Sequence, residues 1–470
     1  MAAKWAVATA CACAAALLAA CGDSGGEGGE PIPASEASAV GRYEFPDPPA
    51  APDGDLDPEV EAALSDLSRS VIAGGVDVAA LETVASSGDP RLAWLISDYL
   101  RFAPSQSDSR LLVAAFEQLS GADPERDPSF ADSPWLSVTN HLIAWDLPAP
   151  PGYRERKGEV FVQLEQGWKP FFADADADID WRLISWGGVP IDDRRPGDAN
   201  PCPGGCIPAL DDPDLTPASA GDWYPDDRIV FGLVVGGEAV AFPKNIMEVH
   251  EMVNVTIAGR RLGIPYCTLC GSAQAYFLDS VPRGVPEPVL RTSGLLSRSN
   301  KVMYDLRTRS VLDTFTGEAL SGPLQDAGVK LEQTSVVASS WGEWRRAHPD
   351  TRIVARDGGI GRSYPSDPLG GRDDDGPIFP IGDADPRLPV HEQVVGVVAP
   401  GGRPVAFPVE ASLAALAGGD RVRLAGVEVR REGDGLRAEA GDGTEIAAHQ
   451  AFWFAWSQFH PNTELWRRGG

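Results

Sequence analysis

The first third of the chain repeats apolar side chains at helical spacing. One such face is formed by Val60, Leu64, Leu67 and Val71. Asp57-Pro58 precedes it, which is typical of a helix start, because the Asp side chain accepts from free backbone N–H groups and Pro fits the first helical position. Asp89-Pro90 repeats this signal before another apolar face. The pattern predicts a unit of short helices over residues 55–125.

Four short helices, two of them opened by Asp-Pro, resemble a pair of HEAT-like α-hairpin repeats. Such repeats usually serve as a scaffold or a protein-binding surface, so a protein partner is the expectation for this unit. A small helical bundle packed against the rest of the chain fits the same pattern. We interpret residues 126–199 as an extension that connects the helices to a β-rich region.

Short β-like segments dominate the rest of the chain. Ile229 to Val235 and Glu238 to Phe242 flank Gly236-Gly237, and two β-branched runs around a Gly-Gly pair indicate a β-hairpin. The stretch from Val230 to Pro243 resembles the stretch from Val394 to Pro408, with one extra residue before the glycines. This similarity predicts an internal duplication of one hairpin. The alternative is chance, since turn chemistry alone restricts the residues of Val-rich hairpins.

The fold class expected from these patterns is α+β. A unit of short helices is followed, over residues 200–465, by an internally duplicated β-rich domain with a few helices. Two related β units favour a pseudo-symmetric sandwich or barrel. A ligand site is then expected where the copies meet.

The N-terminus has the order of a bacterial lipoprotein signal. Lys4 supplies a positive charge, and the apolar run from Trp5 to Ala20 is too short for a comfortable transmembrane helix. Leu18-Ala19-Ala20-Cys21 resembles the lipobox, in which cleavage leaves a cysteine that receives lipid. We expect a signal peptide over residues 1–20 and a lipid on Cys21 that holds the protein on a membrane of the bacterial cell envelope, outside the cytoplasm. An ordinary secretory signal is the alternative.

The composition distinguishes one segment from the rest of the chain and argues against one class of binding partner. Residues 21–54 are rich in Gly, Pro, Ser and Glu, so they cannot bury enough apolar surface to offset the entropy of ordering, and we interpret them as a flexible tether. The whole chain has 40 Lys and Arg against 68 Asp and Glu, a formal net charge of -28. We expect no nucleic acid partner, because an acidic surface repels phosphates.

Four cysteines remain besides those of the signal peptide and the lipid site: Cys202, Cys206, Cys267 and Cys270. Cys202 and Cys206 are close in sequence and form a candidate disulfide in an oxidising compartment. Cys267-Thr-Leu-Cys270-Gly271 permits a redox dithiol, half of a soft-metal site or a structural disulfide. Strand-like residues follow this segment. A tight turn between two strands, which we call the cysteine knuckle (residues 267–271), therefore fits better than the strand-to-helix turn of thioredoxin.

A metal site at this knuckle needs further ligands, and two histidines are the candidates. His250 lies shortly before the knuckle, and His460 lies near the end of the second β unit. Glu251 follows His250 and would orient it as a ligand. Thiolate and imidazole ligands suit copper(I) or zinc. The leading expectation is therefore a metal site built from Cys267, Cys270 and one or both histidines, used in metal handling or electron transfer.

Two other functions fit the same residues. A thiol-disulfide oxidoreductase would use Cys267 and Cys270 directly. A non-enzymatic binding module would dock a partner on the helical unit and use the cysteine pair as a structural disulfide. The chain has no nucleophile elbow, no phosphate-binding glycine loop and no His-Glu-x-x-His motif, which disfavours the common hydrolase classes. Whether the protein is an enzyme stays open from the sequence.

Several short motifs occur in the order typical of one bacterial family: Cys206-Ile-Pro-Ala-Leu210, Ala241-Phe-Pro243, His250-Glu-Met-Val-Asn254, Tyr266-Cys-Thr-Leu-Cys-Gly271, Ser293-Gly-Leu-Leu296, Met303-Tyr-Asp305, Thr316-Gly-Glu318, Trp341 to Pro349 and Phe452 to Pro461. Over residues 200–465 the chain resembles the family called domain of unknown function 3179 (DUF3179), which brings no established activity with it. The resemblance implies that the candidate site residues occupy motif positions: His250, Glu251, Cys267, Cys270 and His460.

The sequence also departs from the family pattern. Leu312 stands where a tryptophan is usual, and His391 stands where a lysine is common. Neither position belongs to the knuckle. Cys202 and Cys206 lie outside the family motifs, which favours a local disulfide over a role as ligands.

Overall fold

The computed structural model describes residues 43–198, 200, 202, 204–371 and 376–468. The predicted signal peptide, the lipid site at Cys21 and the tether up to residue 42 lie outside the described residues. The contacts divide the chain after Glu44, and Phe45–Gly470 is the unit considered below. None of the helices in the described ranges has the length and apolar character that crossing a membrane requires.

The N-terminal helical unit is present, and two of its helical segments begin at the predicted capping residues, Asp57 and Asp89. Asp57 and Asp77 each accept a hydrogen bond from a backbone N–H in the first turn of a helix. Asp89 caps the 3-10 turn Pro90–Leu92, which leads directly into the next helix. The α-helices of this part are α1 (Pro58–Ile72), α2 (Val78–Ser86), α3 (Ala93–Arg101), α4 (Gln106–Ser120), α5 (Pro134–Ala144), α6 (Tyr153–Leu164) and α7 (Lys169–Ala173).

A buried ion pair joins α3 to α6, so the helical part extends beyond residue 125. Lys157 Nζ lies 2.9 Å from Asp98 Oδ1, and the Tyr153 hydroxyl donates to Asp98 Oδ2 at 2.7 Å. Burial raises the pKa of Asp98 and lowers the pKa of Lys157, while the attraction between the two opposes both shifts. The predicted connecting extension, residues 126–199, is therefore helical over much of its length.

In the described part of the chain, the strands form five separate sheets of four to six strands, as in a five-bladed β-propeller. The sequence predicted a sandwich or barrel, so the observed arrangement of sheets differs from the prediction. The strands are β1 (Ile184–Trp186), β2 (Leu210–Asp211), β3 (Leu215–Pro217), β4 (Ile229–Val235), β5 (Glu238–Pro243), β6 (Met252–Ile257), β7 (Arg260–Cys267), β8 (Ser272–Ala273), β9 (Ala275–Phe277), β10 (Leu290–Ser297), β11 (Asn300–Asp305), β12 (Val311–Leu312), β13 (Glu332–Thr334), β14 (Val337–Ser340), β15 (Arg352–Val354), β16 (Gln393–Val398), β17 (Pro404–Pro408), β18 (Val422–Leu424), β19 (Val427–Glu432), β20 (Gly435–Ala440), β21 (Glu445–Ile446), β22 (Ala448–Phe452) and β23 (Glu464–Leu465).

The order of strands explains the difference from a sandwich or barrel. The sheets run β1-β10-β11-β12, β13-β9-β7-β6-β2 with β8 beside β7, β14-β4-β5-β15-β3, β22-β16-β17-β23 and β18-β19-β20-β21. Strands from distant parts of the chain complete each hairpin into a small sheet, so the two hairpins do not pair with each other. Among the described residues, five α-helices connect the strands: α8 (Lys244–His250), α9 (Gly322–Asp326), α10 (Trp341–Ala347), α11 (Val409–Ala417) and α12 (Trp453–Phe459).

Both hairpins of the predicted duplication are present. Each is followed by a helix and is extended into a sheet by one antiparallel and one parallel strand. The β4-β5 hairpin is followed by α8, and the β16-β17 hairpin by α11. β14 lies antiparallel to β4, as β22 does to β16. β15 runs parallel to β5, as β23 does to β17. We call residues 229–354 the first copy and residues 393–465 the second copy.

A glycine in each hairpin leaves room for a tryptophan. In the first copy, a Cβ on Gly232 would lie 2.4 Å from the Trp344 ring. In the second copy, a Cβ on Gly396 would lie 2.0 Å from the Trp456 ring. Both indole N–H groups donate to a threonine hydroxyl, at 3.0 and 2.8 Å. The two copies thus share their central packing contact as well as their strand order.

The cysteine knuckle lies where the two copies meet. β8, which follows the knuckle, contacts β22 of the second copy. Cys267 and Cys270 belong to the same apolar cluster as Phe452 and Trp456 of the second copy. This is the place at which the sequence puts its candidate ligand site.

Candidate functional site

The candidate site is built on the turn between β7 and β8. β7 ends at Cys267, and Thr268–Cys270 forms a single 3-10 turn. Gly271 follows with a φ of 57°, a left-handed conformation that favours glycine. A Cβ on Gly271 would also lie 2.9 Å from the Phe452 ring. Glycine is therefore needed here both for the backbone turn and for close approach of the second copy.

Cys267 and Cys270 are free thiols, and their side chains are buried. Both face one acceptor, the backbone carbonyl of Ser299, with Sγ to O distances of 3.8 and 3.6 Å. Burial raises the pKa of Cys270 well above its usual range, and a hydrogen bond to Cys267 raises it further. Metal binding at this pair must therefore displace protons.

A buried lysine supplies positive charge next to the thiols. The backbone N–H of Lys301 donates to Cys267 Sγ at 3.5 Å. Its ammonium group donates to the Glu251 carbonyl oxygen and lies 3.5 Å from the Glu251 carboxylate. Burial lowers the pKa of Lys301, and attraction to Glu251 and Cys267 opposes that shift. The Thr268 hydroxyl also donates to Glu251, at 3.0 Å, so thiols, ammonium and carboxylate form one connected group.

Five polar side-chain atoms near the thiols are buried without a hydrogen-bond partner in the described part of the chain. They belong to Ser272, Gln274, Ser299 and Asn300. Ser272 is the cross-strand partner of Cys267, and Ser299 supplies the carbonyl that both thiols face. Such atoms are rare in folded proteins, because a buried polar group without a partner costs free energy. Their concentration here favours a site that receives a polar ligand, water or an ion.

Both ring nitrogens of His250 are engaged in hydrogen bonds. Nδ1 lies 2.7 Å from the Pro208 carbonyl oxygen, which can only accept, so Nδ1 donates. Nε2 therefore accepts from the Tyr364 hydroxyl at 2.7 Å. Burial lowers the pKa of His250 to about 4, which keeps the ring neutral. Glu251 contacts Lys301 and Thr268, so His250 is oriented by Pro208 and Tyr364 rather than by Glu251.

His460 directly follows α12 in the second copy and packs against Trp456, with ring centroids 4.1 Å apart and an angle of 40° between the ring planes. Burial lowers its pKa to about 4, and Lys330 adds to this. His449 is a second histidine in this copy, and the sequence did not single it out. Its Nδ1 atom lies 2.9 Å from the Gln333 amide nitrogen. Burial lowers its pKa to about 3, with a contribution from His460. Both rings are therefore neutral at physiological pH.

The structure brings together only part of the predicted ligand set. Within the described ranges, one group of three or more His, Cys, Asp or Glu donors has all its ligand atoms within 4.8 Å of one another, namely Asp192, Cys202 and Cys206. Cys202 and Cys206 form a disulfide, with Cα atoms 5.3 Å apart, so their sulfurs are not thiolates. Cys267 and Cys270 lie together, but neither His250 nor His460 joins them in such a group. The role of these two histidines as ligands stays a prediction.

The segment that faces the thiols could not be recognised from the sequence. Ser299 lies in the turn between β10 and β11, and Asn300 and Lys301 begin β11. In the sequence this Arg-Ser-Asn-Lys run is typical of a solvent-facing hairpin turn, and no spacing rule connects it to the knuckle. The one available signal was its place between two apolar strands, which predicts a hairpin but not the burial of its tip.

Comparison with known proteins gives one match. A family model described as Protein of unknown function (DUF3179) matches residues 204–418. The matched range contains His250, Glu251, Cys267, Cys270 and Lys301, and it ends just after α11, before His460. No curated protein and no solved structure matches the chain. Residues 204–418 therefore confirm the resemblance of the chain to the family described as Protein of unknown function (DUF3179).

Proposed function

We propose that the protein binds one soft or borderline metal ion, copper(I) or zinc, through Cys267 and Cys270, and that it serves in metal handling or electron transfer. The observation that carries this proposal is the pair of free, buried thiols that face the same backbone carbonyl where the two copies meet. Cysteine sulfur is the protein ligand that such ions prefer. The proposal gives a reason for keeping two thiols reduced and close together inside the protein.

The charges near the thiols support the same proposal. Two thiolates with copper(I) carry one negative charge, which the ammonium group of Lys301, shared with Glu251, would stabilise in part. Two thiolates with zinc carry no net charge. Zinc therefore leaves the buried cluster without an unpaired charge, and Lys301 reduces the cost of the single charge that copper(I) leaves there. The partnerless polar atoms of Ser272, Ser299 and Asn300 also suit a site that holds an ion.

The wider setting is part of the proposal. A lipid on Cys21 would hold the protein on a membrane surface outside the cytoplasm, and the helical unit, HEAT-like in its sequence pattern, would offer a surface for a protein partner. His250 and His460 would join the metal site only if the surrounding loops rearrange. Copper(I) does not require this, because two thiolates alone can complete its coordination.

A second candidate function is thiol-disulfide exchange, which is favoured because Cys267 and Cys270 face the same carbonyl oxygen. Burial argues against it, because a protein disulfide must reach the attacking sulfur and because the raised pKa of Cys270 disfavours the thiolate. Metal ions are small enough to reach a buried pair after a local opening, whereas a folded protein substrate is not.

We expect Lys301→Met to weaken copper(I) binding about tenfold in the full-length protein, because a nearby positive charge stabilises an anionic thiolate complex by more than 1 kcal/mol at an effective dielectric constant of about 20. Zinc binding should change less, since its two-thiolate complex is neutral. The measurement is competition with a chromophoric chelator. Lys169→Met, which removes an exposed lysine in the helical unit, is the control and should match the wild type. Equal copper(I) affinities for Lys301→Met and wild type would contradict the proposed site.

A further inference from the structure

Gln274 has the most unusual environment of the residues near the thiols. Its side chain is completely buried, yet neither its amide oxygen nor its amide nitrogen has a hydrogen-bond partner in the described residues. An amide that is cut off from both water and protein partners is costly, so a glutamine is a poor choice here for packing alone. This environment is explained if the side chain has a ligand to contact.

The strand register places Gln274 on the same face as the thiols. Cys267 pairs with Ser272, and Tyr266 pairs with Ala273. The backbone N–H of Gln274 continues this ladder by donating to the Pro265 carbonyl at 3.1 Å. Because side chains alternate along strands, Gln274 and Ser272 share a face with Cys267.

The neighbouring side chains support this assignment. Ala273 and Ala275, on either side of Gln274, pack into the apolar core between β6, β7 and the first-copy hairpin. Cys267 and Cys270 belong instead to the cluster shared with the second copy. Gln274 therefore projects opposite to its two neighbours, toward the side of the thiols. A diagonal cross-strand neighbour is about 7–8 Å away, which is within reach of a long side chain.

We propose that the amide oxygen of Gln274 is a third protein ligand of the metal ion held by Cys267 and Cys270, and that the resident ion is zinc. This inference rests on the proposed function and narrows it. Zinc requires four donors, and a hard amide oxygen beside two thiolates suits this borderline ion better than soft copper(I). The partnerless oxygens of Ser272 and Asn300, or water, would supply the fourth donor.

The charge of the site agrees with zinc. Zinc with two thiolates and a neutral amide carries no net charge, and Lys301 and Glu251 already neutralise each other at 3.5 Å. Copper(I) in the same place would leave the buried cluster with one negative charge. A neutral complex such as that of zinc avoids the free-energy cost of leaving a net charge in a buried site.

The test compares zinc and copper(I) binding to the full-length wild type and to Gln274→Leu, with Zn²⁺ and Cu⁺ added under reducing conditions in competition with chromophoric chelators. We expect Gln274→Leu to bind zinc at least about tenfold more weakly and to bind copper(I) within a factor of about three of the wild type. Gln274→Glu should restore zinc binding, because a carboxylate oxygen is also a zinc ligand. Ser412→Ala, which removes a partnerless buried hydroxyl on α11, is the control and should not change either affinity.

Three results distinguish a failure of the Gln274 and zinc assignment from a failure of the proposed function. Zinc affinity that is equal in Gln274→Leu and wild type would overturn the assignment of Gln274. Binding of copper(I) but not zinc by the wild type would overturn the choice of ion and leave the proposed function standing. Binding of neither ion would contradict the proposed function itself. Thermal unfolding of the metal-free variants excludes misfolding, since leucine in place of a partnerless glutamine should keep or raise Tm.

Discussion

Full-length Cys267→Ser and Cys270→Ser should each lose measurable binding of both copper(I) and zinc, while the wild type binds about one equivalent. Each thiolate supplies a large share of the binding free energy of a structural metal, and a serine hydroxyl does not deprotonate to replace it. The loss should be about a thousandfold or more for either variant. Chelator competition and metal analysis after desalting measure this effect.

The disulfide provides a matched control for the cysteine variants. Cys202 and Cys206 are covalently paired, and their nearest carboxylate, Asp192, is paired with Arg194. The double variant Cys202→Ser, Cys206→Ser should therefore keep the full metal content. If metal binding were lost there and retained in Cys267→Ser, the site would lie at the disulfide loop and our assignment would be wrong.

Gly396→Ala should be the most destabilising single methyl addition in the second copy. The new Cβ would lie 2.0 Å from Cε3 of Trp456, which is buried and held by its hydrogen bond to Thr463. A fully buried indole cannot move aside without disturbing α12, so the expected loss in the free energy of unfolding is about 1–3 kcal/mol or more. Chemical denaturation of the full-length protein measures it.

Two further alanine variants control this prediction. Gly441→Ala adds the same methyl group where no heavy atom lies within 4 Å, so its free energy of unfolding should stay within about 0.5 kcal/mol of the wild type. Gly232→Ala in the first copy should resemble Gly396→Ala, because its Cβ would lie 2.4 Å from the Trp344 ring. A neutral effect at Gly396 would mean that this tryptophan contact does not hold the second copy together.

Local signals in the sequence predicted the elements whose cause is local. Asp57 caps α1 because its side chain accepts from the backbone two residues on, a relation that the sequence displays directly. The Gly236-Gly237 pair marks a hairpin for the same reason, since both glycines have a positive φ. The repeat of the hairpin near residue 400 could be recognised because the turn and the apolar pattern recur together.

The sheet arrangement could not be predicted in this way. β15 lies beside β5 although more than 100 residues separate them, and β23 lies beside β17 with a further sheet inserted between them in the chain. No periodicity encodes which distant strand completes a hairpin. The expectation of a sandwich or barrel followed from counting β units and failed at this point.

In the candidate site, too, the sequence indicated the local features but not the contacts between distant segments. The knuckle at Cys267 and its glycine are encoded in six consecutive residues, so the sequence indicated them. Lys301 reaches the thiols from another hairpin, and Gln274 differs from a surface glutamine only by its burial. The sequence also paired Glu251 with His250 as neighbours, but a left-handed residue at the end of α8 turns Glu251 toward Lys301 instead.

The most direct test of the account is the metal content of the full-length protein, purified from its native host without chelators, together with the alkylation state of its cysteines. We expect about one equivalent of zinc or copper per chain, with Cys267 and Cys270 protected until the metal is removed and alkylated afterwards. A protein that contains no metal, and in which Cys267 and Cys270 are joined in a disulfide, would contradict it.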